Sequence, residues 1–288
     1  MNVKIAAAQY DISFLDTWKN YQQKSERWVK DATEQGAKIL LFPEYNTMEL
    51  ASLFPETVYS SLNLSLIEMQ TVHEAFSHLF QDLAQEYQCV IQAGSFPVLI
   101  SDGVYHNRAY LFMPYGETHF QDKMMMTRFE NEQWLISAGD ELKTFDTEFG
   151  RIAINICYDC EFPLLARKQV EMGANLILVP SCTDTVAGFH RVKIGCQARA
   201  LENQCYVVQA ALVGDASWSP AVDVNVGAAG IYTPVDYGFP DNGILSSGEF
   251  NKPQWVFAEI DLQNCENVRA EGQVFNYRDW SRQTGIST

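Results

Sequence analysis

Two segments of the chain repeat one pattern, and this repeat constrains the possible folds more than any other feature. Residues 36–44 (GAKILLFPE) and residues 173–181 (GANLILVPS) each run from a glycine through a short apolar stretch to a proline. In both cases a helical pattern precedes the glycine, and an apolar stretch containing Ile-Ala precedes that helix. Short apolar runs without polar alternation are typical of parallel strands buried on both faces of a sheet. The sequence therefore predicts an α/β fold built from two strand–helix–strand halves.

The remaining segments predict further elements of the same two kinds. Apolar runs indicate strands at 3–9, 38–42, 90–96, 107–113, 117–121, 151–157, 176–179, 205–212, 227–232 and 255–260. Apolar residues at helical spacing indicate helices at 15–35, 66–88, 164–172 and 192–203. No linker-like stretch separates the halves. We therefore expect one domain over residues 1–288, with a core up to residue 262 and a polar tail at 263–288.

Charge and cysteine content narrow the class of partner and the compartment. The chain has 20 Lys and Arg residues against 36 Asp and Glu residues, a net charge of −16. Nucleic acids and anionic membrane surfaces attract clustered cations, and the sequence contains no basic run, so neither is an expected partner. No apolar stretch approaches the roughly 20 residues of a membrane span. The odd number of scattered cysteines, seven, fits a reducing compartment, and a cytoplasmic location is expected.

Three chemically active side chains follow predicted strand ends. Glu44 follows the run at 38–42, Lys123 follows the run at 117–121, and Cys157 ends the run at 151–157. Ligands of such sheets bind at the carboxyl ends of the strands, so these side chains are expected to meet. A carboxylate can take the proton of a thiol nucleophile, and a cation can favour the thiolate and stabilise an oxyanion. The three residue types suffice for acyl transfer, although each alone has an ordinary structural interpretation.

Longer motifs around these residues resemble those of the nitrilase, or carbon–nitrogen hydrolase, superfamily. Residues 41–44 (LFPE) resemble its glutamate motif, and residues 122–130 (DKMMMTRFE) its lysine motif with a second glutamate seven residues on. Residues 155–163 (NICYDCEFP) resemble its cysteine elbow, and residues 198–203 (ARALEN) a structural segment. The matched pieces span nearly all of residues 3–260, in order, and this favours the catalytic interpretation.

The resemblance implies a fold, an assembly and a set of roles. The fold is a four-layer α-β-β-α sandwich that forms a homodimer or higher homo-oligomer through the helices of its second half and its C-terminal tail. Cys157 is implied as the nucleophile, Glu44 as the general base and Lys123 as the cation that stabilises the intermediate. Glu130 is implied as a second carboxylate that orients the site, and the backbone N–H of Tyr158 as an oxyanion donor. No metal or organic cofactor is implied.

Position along the chain suggests further residues that contact substrate. Tyr45 follows Glu44, Arg128 lies in the lysine motif, and Ser181 and Cys182 follow the run at 176–179. His190 lies at the start of the next predicted helix. Relatives that act on N-carbamoyl amino acids often place arginines just after the cysteine elbow. Here those positions hold Cys160 and Glu161, which argues against a substrate carboxylate held in that way and favours a neutral or cationic substrate.

Several functions remain open at this point. The preferred hypothesis is hydrolysis of the amide bond of a small molecule through a thioester, because amidases are common in the superfamily. A nitrilase acting on a C≡N bond, or an N-carbamoyl amide hydrolase, would use the same residues. A redox or zinc protein could use the C-x-x-C pair Cys157 and Cys160, although a second such pair is absent from the sequence. A binding protein that has kept the fold is a further alternative.

Overall fold

The computed structural model of the chain describes residues 2–283. Its strands are β1 (Asn2–Asp11), β2 (Ile39–Phe42), β3 (Val90–Ser101), β4 (Val104–Phe112), β5 (Thr118–Asp122), β6 (Ile136–Ser137), β7 (Thr144–Thr147), β8 (Gly150–Ile154), β9 (Leu176–Ser181), β10 (Tyr206–Asp215), β11 (Val224–Asn225), β12 (Gly230–Tyr232), β13 (Ile244–Ser247) and β14 (Gln254–Asp261). Its α-helices are α1 (Trp18–Glu34), α2 (Glu56–Tyr59), α3 (Leu62–Glu86), α4 (Pro163–Glu171), α5 (Val186–Asn203), α6 (Gln263–Glu271) and α7 (Asn276–Asp279). Residues 284–288, the end of the predicted tail, lie outside the described residues.

Within residues 2–283, nine strands follow one hydrogen-bonded path, in the order β5-β4-β3-β2-β1-β10-β9-β8-β7, which contains the two predicted halves. In the first half β3, β2 and β1 are parallel neighbours, and in the second half β8, β9 and β10 are parallel neighbours. The halves join where the end of β1 (residues 9–11) pairs in parallel with residues 211–213 of β10. The repeated sequence segments thus become β2 and β9, at equivalent places in the two halves.

Alternate side chains of β1 divide between two hydrophobic cores. Val3, Ile5 and Ala7 belong to a core shared with β8, β9, β10 and the inner faces of α4 and α5. Ala6 and Ala8 belong to a second core shared with α1 and α3. Successive side chains of a strand point to opposite faces, so this division places helices on the outer face of each half of the sheet. The result is the predicted four-layer α-β-β-α sandwich, and this prediction is confirmed.

Two predictions about individual elements are wrong. The strand predicted at 151–157 ends at Ile154, and Cys157 instead begins a short 3-10 helix, Cys157–Glu161. The tail beyond residue 261 is not merely polar, because α6 buries Cys265 and Val268 against the rest of the fold. The strands missed in the sequence, β6, β7, β11 and β13, are two to four residues long and contain polar residues, so none of them forms a continuous apolar run as the four-residue β2 does.

A buried ion pair ties α1 to the 3-10 helix Asn46–Leu53, which directly follows β2. Lys24 Nζ donates to Glu49 Oε1 at 2.8 Å and to Ser13 Oγ at 2.9 Å, and it lies 4.1 Å from the ring centre of Tyr10. Lys24 is 6% exposed and Glu49 is fully buried. The pair therefore fixes the segment that leaves β2.

Lys24→Ala should lower the free energy of unfolding by about 3–5 kcal/mol, because it leaves the Glu49 carboxylate buried without its cation. Lys30→Ala is the matched control on the same helix, since it removes an exposed pair with Glu34 at 3.8 Å. The control should change the free energy of unfolding by less than about 1 kcal/mol. Urea unfolding of both variants measures the difference, and equal losses would contradict the assignment.

Across residues 2–283, every helix is too short or too polar to cross a bilayer.

Candidate active site

A cavity of about 480 Å³ opens where β2, β8 and β9 end. The residues lining it include three of the strand-end side chains singled out in the sequence, Glu44, Lys123 and Cys157. All three are nearly inaccessible to solvent, with exposures of 1%, 1% and 4%. The topology therefore brings together groups that lie 79 and 34 residues apart in the chain.

Two carboxylates flank one ammonium group beside this cavity. Lys123 Nζ donates to Glu44 Oε1 at 2.8 Å, and to Glu130 Oε1 and Oε2 at 2.8 and 2.7 Å. Asn107 Nδ2 donates to Glu44 Oε1 at 2.8 Å and to Glu130 Oε1 at 3.3 Å. Burial makes an unpaired charge costly, so this hydrogen-bonded arrangement holds each group in one position.

The second glutamate has its own set of donors. The Tyr45 hydroxyl donates to Glu130 Oε1 at 2.7 Å, and the backbone N–H and hydroxyl of Thr127 donate to Oε2 at 2.9 and 2.8 Å. Tyr45 adopts φ 56° directly after Glu44, and its backbone N–H donates to Ser95 Oγ at 2.9 Å. This turn carries the tyrosine away from the direction of β2 and onto the glutamate. Glu130 thus orients Lys123 from the wall of the cavity.

Cys157 lies on a sharp turn between β8 and the 3-10 helix that follows. Its φ of 48° is in the left-handed region, which non-glycine residues seldom adopt and which occurs most often at functional sites. The thiol donates to the backbone carbonyl of Cys182 at 3.5 Å, and the backbone N–H of Cys182 donates to Glu44 Oε2 at 3.1 Å. Cys182 therefore links the thiol to the carboxylate from the end of β9.

Burial, together with the Glu44 carboxylate, favours the protonated thiol of Cys157 by raising its pKa. Burial raises the pKa of Cys157 well above its ordinary value, the Glu44 carboxylate adds to this, and Lys123 only partly opposes it. The lysine charge is shared by two carboxylates, Glu44 and Glu130, which leaves the three groups with a net charge of −1 when all are ionised. Lys123 acts in the expected direction, toward the thiolate, but burial and Glu44 outweigh it, so a base must remove the proton during the reaction.

The two glutamates differ in their tendency to hold a proton. Burial raises the pKa of Glu44, as does the nearby Glu130 carboxylate, against the opposing effects of Lys123 and a hydrogen bond from the Cys157 thiol. Burial also acts to raise the pKa of Glu130, but Lys123, Thr127 and Tyr45 together outweigh it and lower that pKa. Glu44 is thus the carboxylate better suited to receive a proton.

The structure separates the five residues predicted to contact substrate. Tyr45, Arg128 and Cys182 line the cavity, and Arg128 is an exposed residue at its rim. Ser181 lies on the opposite face of β9 and its hydroxyl donates to the carbonyl of Ala210, so it is structural. His190 lies in the second turn of α5, which begins at Val186 rather than at the predicted residue 192. The side chain of His190 lines a separate groove beside α5 and not the cavity. Neither Ser181 nor His190 belongs to the site.

The turn after Cys157 carries two further residues considered in the sequence, Tyr158 and Cys160. Tyr158 lines the cavity, and its N–H belongs to the first turn of a helix, where backbone donors have no partner within the helix. Cys160 instead packs beneath the turn, with its sulfur 4.0 Å from that of Cys196 on α5. Cys157 and Cys160 therefore face different surroundings. Within residues 2–283, no group of three or more Cys, His, Asp or Glu side chains is placed to hold a metal ion.

Sequence reasoning missed several residues of the site. Asn107, on β4, contacts both glutamates, but nothing in its local sequence distinguishes it from other polar strand residues. Trp134 lines the cavity from the short helix Glu130–Trp134. Arg191, the neighbour of His190 considered with it in the sequence, does line the cavity from α5, because neighbouring residues on a helix point in different directions.

Comparison with known proteins identifies the family. The carbon-nitrogen hydrolase family model matches residues 4–270, so the chain belongs to the carbon-nitrogen hydrolase family. It is 35% identical over 97% of its length to a protein of Bacillus subtilis described as a probable hydrolase, and it spans 54% of that relative. It is 30% identical to a deaminated glutathione amidase of Synechocystis, covering 96% of this chain and 99% of that protein. It is 26% identical to the human omega-amidase, covering 87% and 86%. The predicted family and enzyme class are confirmed.

Solved structures share the fold. The chain superimposes on a carbon-nitrogen hydrolase from Helicobacter pylori with a TM-score of 0.77 and 19% identity, covering 99% of this chain and 96% of the other. It superimposes on an amidase of Nesterenkonia with a TM-score of 0.71 and 20% identity, covering 96% and 99%. In that amidase structure acrylamide had added to the active-site cysteine.

Proposed function

We propose that this protein hydrolyses the carbon–nitrogen bond of a small-molecule amide through a thioester on Cys157. The single observation that carries the proposal is the shared cavity of Cys157, Glu44 and Lys123, in which Glu130 holds the lysine in position. Among carbon-nitrogen hydrolases, the relatives described as a deaminated glutathione amidase and an omega-amidase support an amide over other substrates. The amidase cysteine that reacted with acrylamide supports a cysteine nucleophile.

In the first half-reaction the thiol adds to the amide carbonyl. Glu44 takes the proton of Cys157 as the S–C bond forms, and the carbonyl oxygen becomes an oxyanion. The backbone N–H of Tyr158 and the charge of Lys123 stabilise that oxyanion. When the C–N bond breaks, Glu44 returns the proton to the leaving amine or ammonia, and a thioester remains.

In the second half-reaction water releases the acid. Glu44 takes a proton from water as the oxygen adds to the thioester carbonyl, and the second tetrahedral intermediate uses the same oxyanion donors. The S–C bond then breaks and Cys157 recovers its proton. Each step uses groups that are already adjacent, so no cofactor is required by the proposal.

The charged residues at the cavity mouth favour a substrate without a carboxylate. The guanidinium groups of Arg128 and Arg191 are each paired with a glutamate, at 2.8 and 3.5 Å. Asp184 and Asp223 also line the cavity and are exposed, and within residues 2–283 neither forms an ion pair with a lysine or arginine. We therefore infer that neutral or cationic amides bind better than anionic ones.

Ammonia release by the purified protein tests the proposed function. Three substrate pools are compared: primary amides, N-carbamoyl compounds and nitriles, each with neutral, cationic and carboxylate-bearing members. The proposal expects release mainly from neutral or cationic primary amides. Release from nitriles alone would assign a nitrilase, and release from N-carbamoyl compounds alone an N-carbamoyl hydrolase. No release from any pool, with secondary amides and esters also inert, would overturn the proposal.

The pH dependence of kcat/KM should show a rise on the acid side and no fall near neutrality. Glu44 must be ionised to accept a proton, and its pKa lies above the ordinary 4.5, so activity rises with pH through a limb above 4.5. Cys157 and Lys123 both have pKa values raised well above their ordinary 9.0 and 10.5, so both stay protonated. The protein must be shown to stay folded in each buffer of the pH series. A decline in kcat/KM of the folded protein between pH 7 and pH 9 would contradict these assignments.

We further propose that the chain acts as a homodimer or higher homo-oligomer through α4, α5 and the tail. Support comes from two apolar side chains on these helices, Leu164 and Ile194, which are 64% and 65% exposed. Light scattering on the purified protein measures the mass of the assembly. A cytoplasmic location and the lack of nucleic-acid or membrane partners stay predictions from composition.

A further inference from the structure

A buried aspartate lies between the lysine segment and the nucleophile turn. Asp159 is 1% exposed and does not line the cavity. Its Oδ1 accepts hydrogen bonds from the backbone N–H groups of Met124, at 3.1 Å, and Met125, at 2.7 Å. Its Oδ2 accepts from the backbone N–H of Ile156 at 3.0 Å. One carboxylate therefore joins two segments that are more than thirty residues apart in sequence.

The bonded groups stand directly beside the two reacting side chains. Met124 and Met125 follow Lys123, and Ile156 precedes Cys157. The backbone N–H of Asp159 also donates to the carbonyl of Ile156 at 3.0 Å, so the turn that holds Cys157 at φ 48° is closed from both sides. A left-handed residue of this kind persists only where surrounding contacts hold it in place.

We propose that Asp159 is a positioning residue, which holds the backbone of Lys123 and the turn of Cys157 at the separation that the reaction needs. It never touches the substrate, and it acts through the backbone on both sides of the site. The effect of Asp159 on catalysis rests on the proposed function. Its effect on the position of the two segments does not.

Substitution of Asp159 by asparagine tests the carboxylate while keeping the size and shape of the side chain. Asparagine keeps the size of Asp159 but replaces one acceptor oxygen with an NH₂ group, which cannot accept from an N–H. Either the pair Met124 and Met125 or the single donor Ile156 then loses its acceptor and faces another donor. The two segments should move apart by a fraction of an ångström or more, and a misplacement near 1 Å costs about 100-fold in rate.

The chain offers a matched control in a second buried aspartate. Asp236 is 7% exposed, and its Oδ1 accepts from the backbone N–H groups of Tyr237 and Gln273 at 2.7 and 2.8 Å. It lies outside the cavity lining. Because Asp236 Oδ2 has no hydrogen-bond partner within residues 2–283, Asp236→Asn can keep both contacts through its amide oxygen. It therefore controls for the loss of a buried carboxylate as such, without touching the lysine segment or the nucleophile turn.

The experiment compares Asp159→Asn with Asp236→Asn by thermal unfolding, by kcat and KM on the preferred amide, and by the rate at which iodoacetamide alkylates Cys157. For Asp159→Asn we expect kcat to fall about 100-fold with KM changed less than about 3-fold, and alkylation to slow at least about 10-fold. For Asp236→Asn we expect at most a small loss of thermal stability, with kcat and alkylation near wild type. Peptide mapping assigns the alkylated cysteine.

Several outcomes would overturn the inference. These are a kcat of Asp159→Asn within about 3-fold of wild type, an equal loss of kcat in Asp236→Asn, or a change confined to KM. If Asp159→Asn does not fold, Asp159→Glu keeps both acceptor oxygens one methylene further out, and it should fold with reduced kcat; full kcat in that variant overturns the inference. If the wild type releases no ammonia from any pool, the proposed function fails. The alkylation rates of Cys157 then decide by themselves whether Asp159 positions the two segments.

Discussion

Cys157→Ala is expected to reduce ammonia release from the preferred amide by at least about 10⁴-fold, because it removes the atom that forms the covalent bond. The variant should fold as the wild type does. Alanine keeps the Cβ atom, so the strain at φ 48° is unchanged. The hydrogen bonds lost are the weak ones of the thiol, to the Cys182 carbonyl at 3.5 Å and to the Glu44 carboxylate. Steady-state kinetics and thermal unfolding of the same preparation give both quantities.

Cys89→Ala is the matched control for this substitution. Cys89 is 1% exposed and lies at the turn before β3, outside the cavity lining. Its removal should cost stability but leave kcat unchanged. Ammonia release by Cys157→Ala at more than a hundredth of the wild-type rate would show that another group performs the attack.

Lys123→Met is expected to damage both stability and activity. The substitution leaves Glu44 and Glu130 buried side by side without the ammonium that contacts each at 2.8 Å or less. Removing one partner of a buried ion pair costs about 3–5 kcal/mol. Loss of one oxyanion-stabilising group lowers kcat by about 10²–10³-fold. Urea unfolding and steady-state kinetics at neutral pH measure the two effects separately.

The stability of Lys123→Met should also depend on pH in a stated direction. Without the lysine, burial raises the pKa values of Glu44 and Glu130 above the ordinary 4.5, so the folded variant holds protons that the unfolded chain releases. Its stability is therefore greatest below that pH and falls as pH rises through the raised values. Lys168→Met, an exposed substitution on α4, should show neither effect. A Lys123→Met variant as stable as this control at neutral pH would contradict the ion-pair assignment.

The fold was predictable because the strands carry their own signal. The runs at 38–42 and 176–179 are continuous and apolar, and they became β2 and β9 with neighbouring strands in the expected places. The same reasoning located Glu44, Lys123 and Cys157, because residues at strand ends meet at one edge of a sheet whatever their separation in sequence. Elements without an apolar run, such as the four-residue β7, were not recoverable in this way.

The finer features of the site depended on side-chain direction and on summed charge. Ser181 and Cys182 are adjacent, but alternation along the chain turns Ser181 into the sheet and Cys182 toward the cavity. Asn107 meets the glutamates only because β4 lies beside β3 and β5. The protonated thiol of Cys157 results from the balance of one lysine against two carboxylates together with burial, which no local motif reveals.

The central claim, a covalent intermediate on Cys157, is tested most directly by acid quench during turnover and mass spectrometry of the digested protein. The account predicts that the peptide carrying Cys157 gains the mass of the acyl group, that the gain disappears once substrate is exhausted, and that it is absent from Cys157→Ala. Cys182 also lines the cavity and serves as the internal comparison. An acyl group found on Cys182, or steady ammonia release by Cys157→Ala at a rate near that of the wild type, would contradict it.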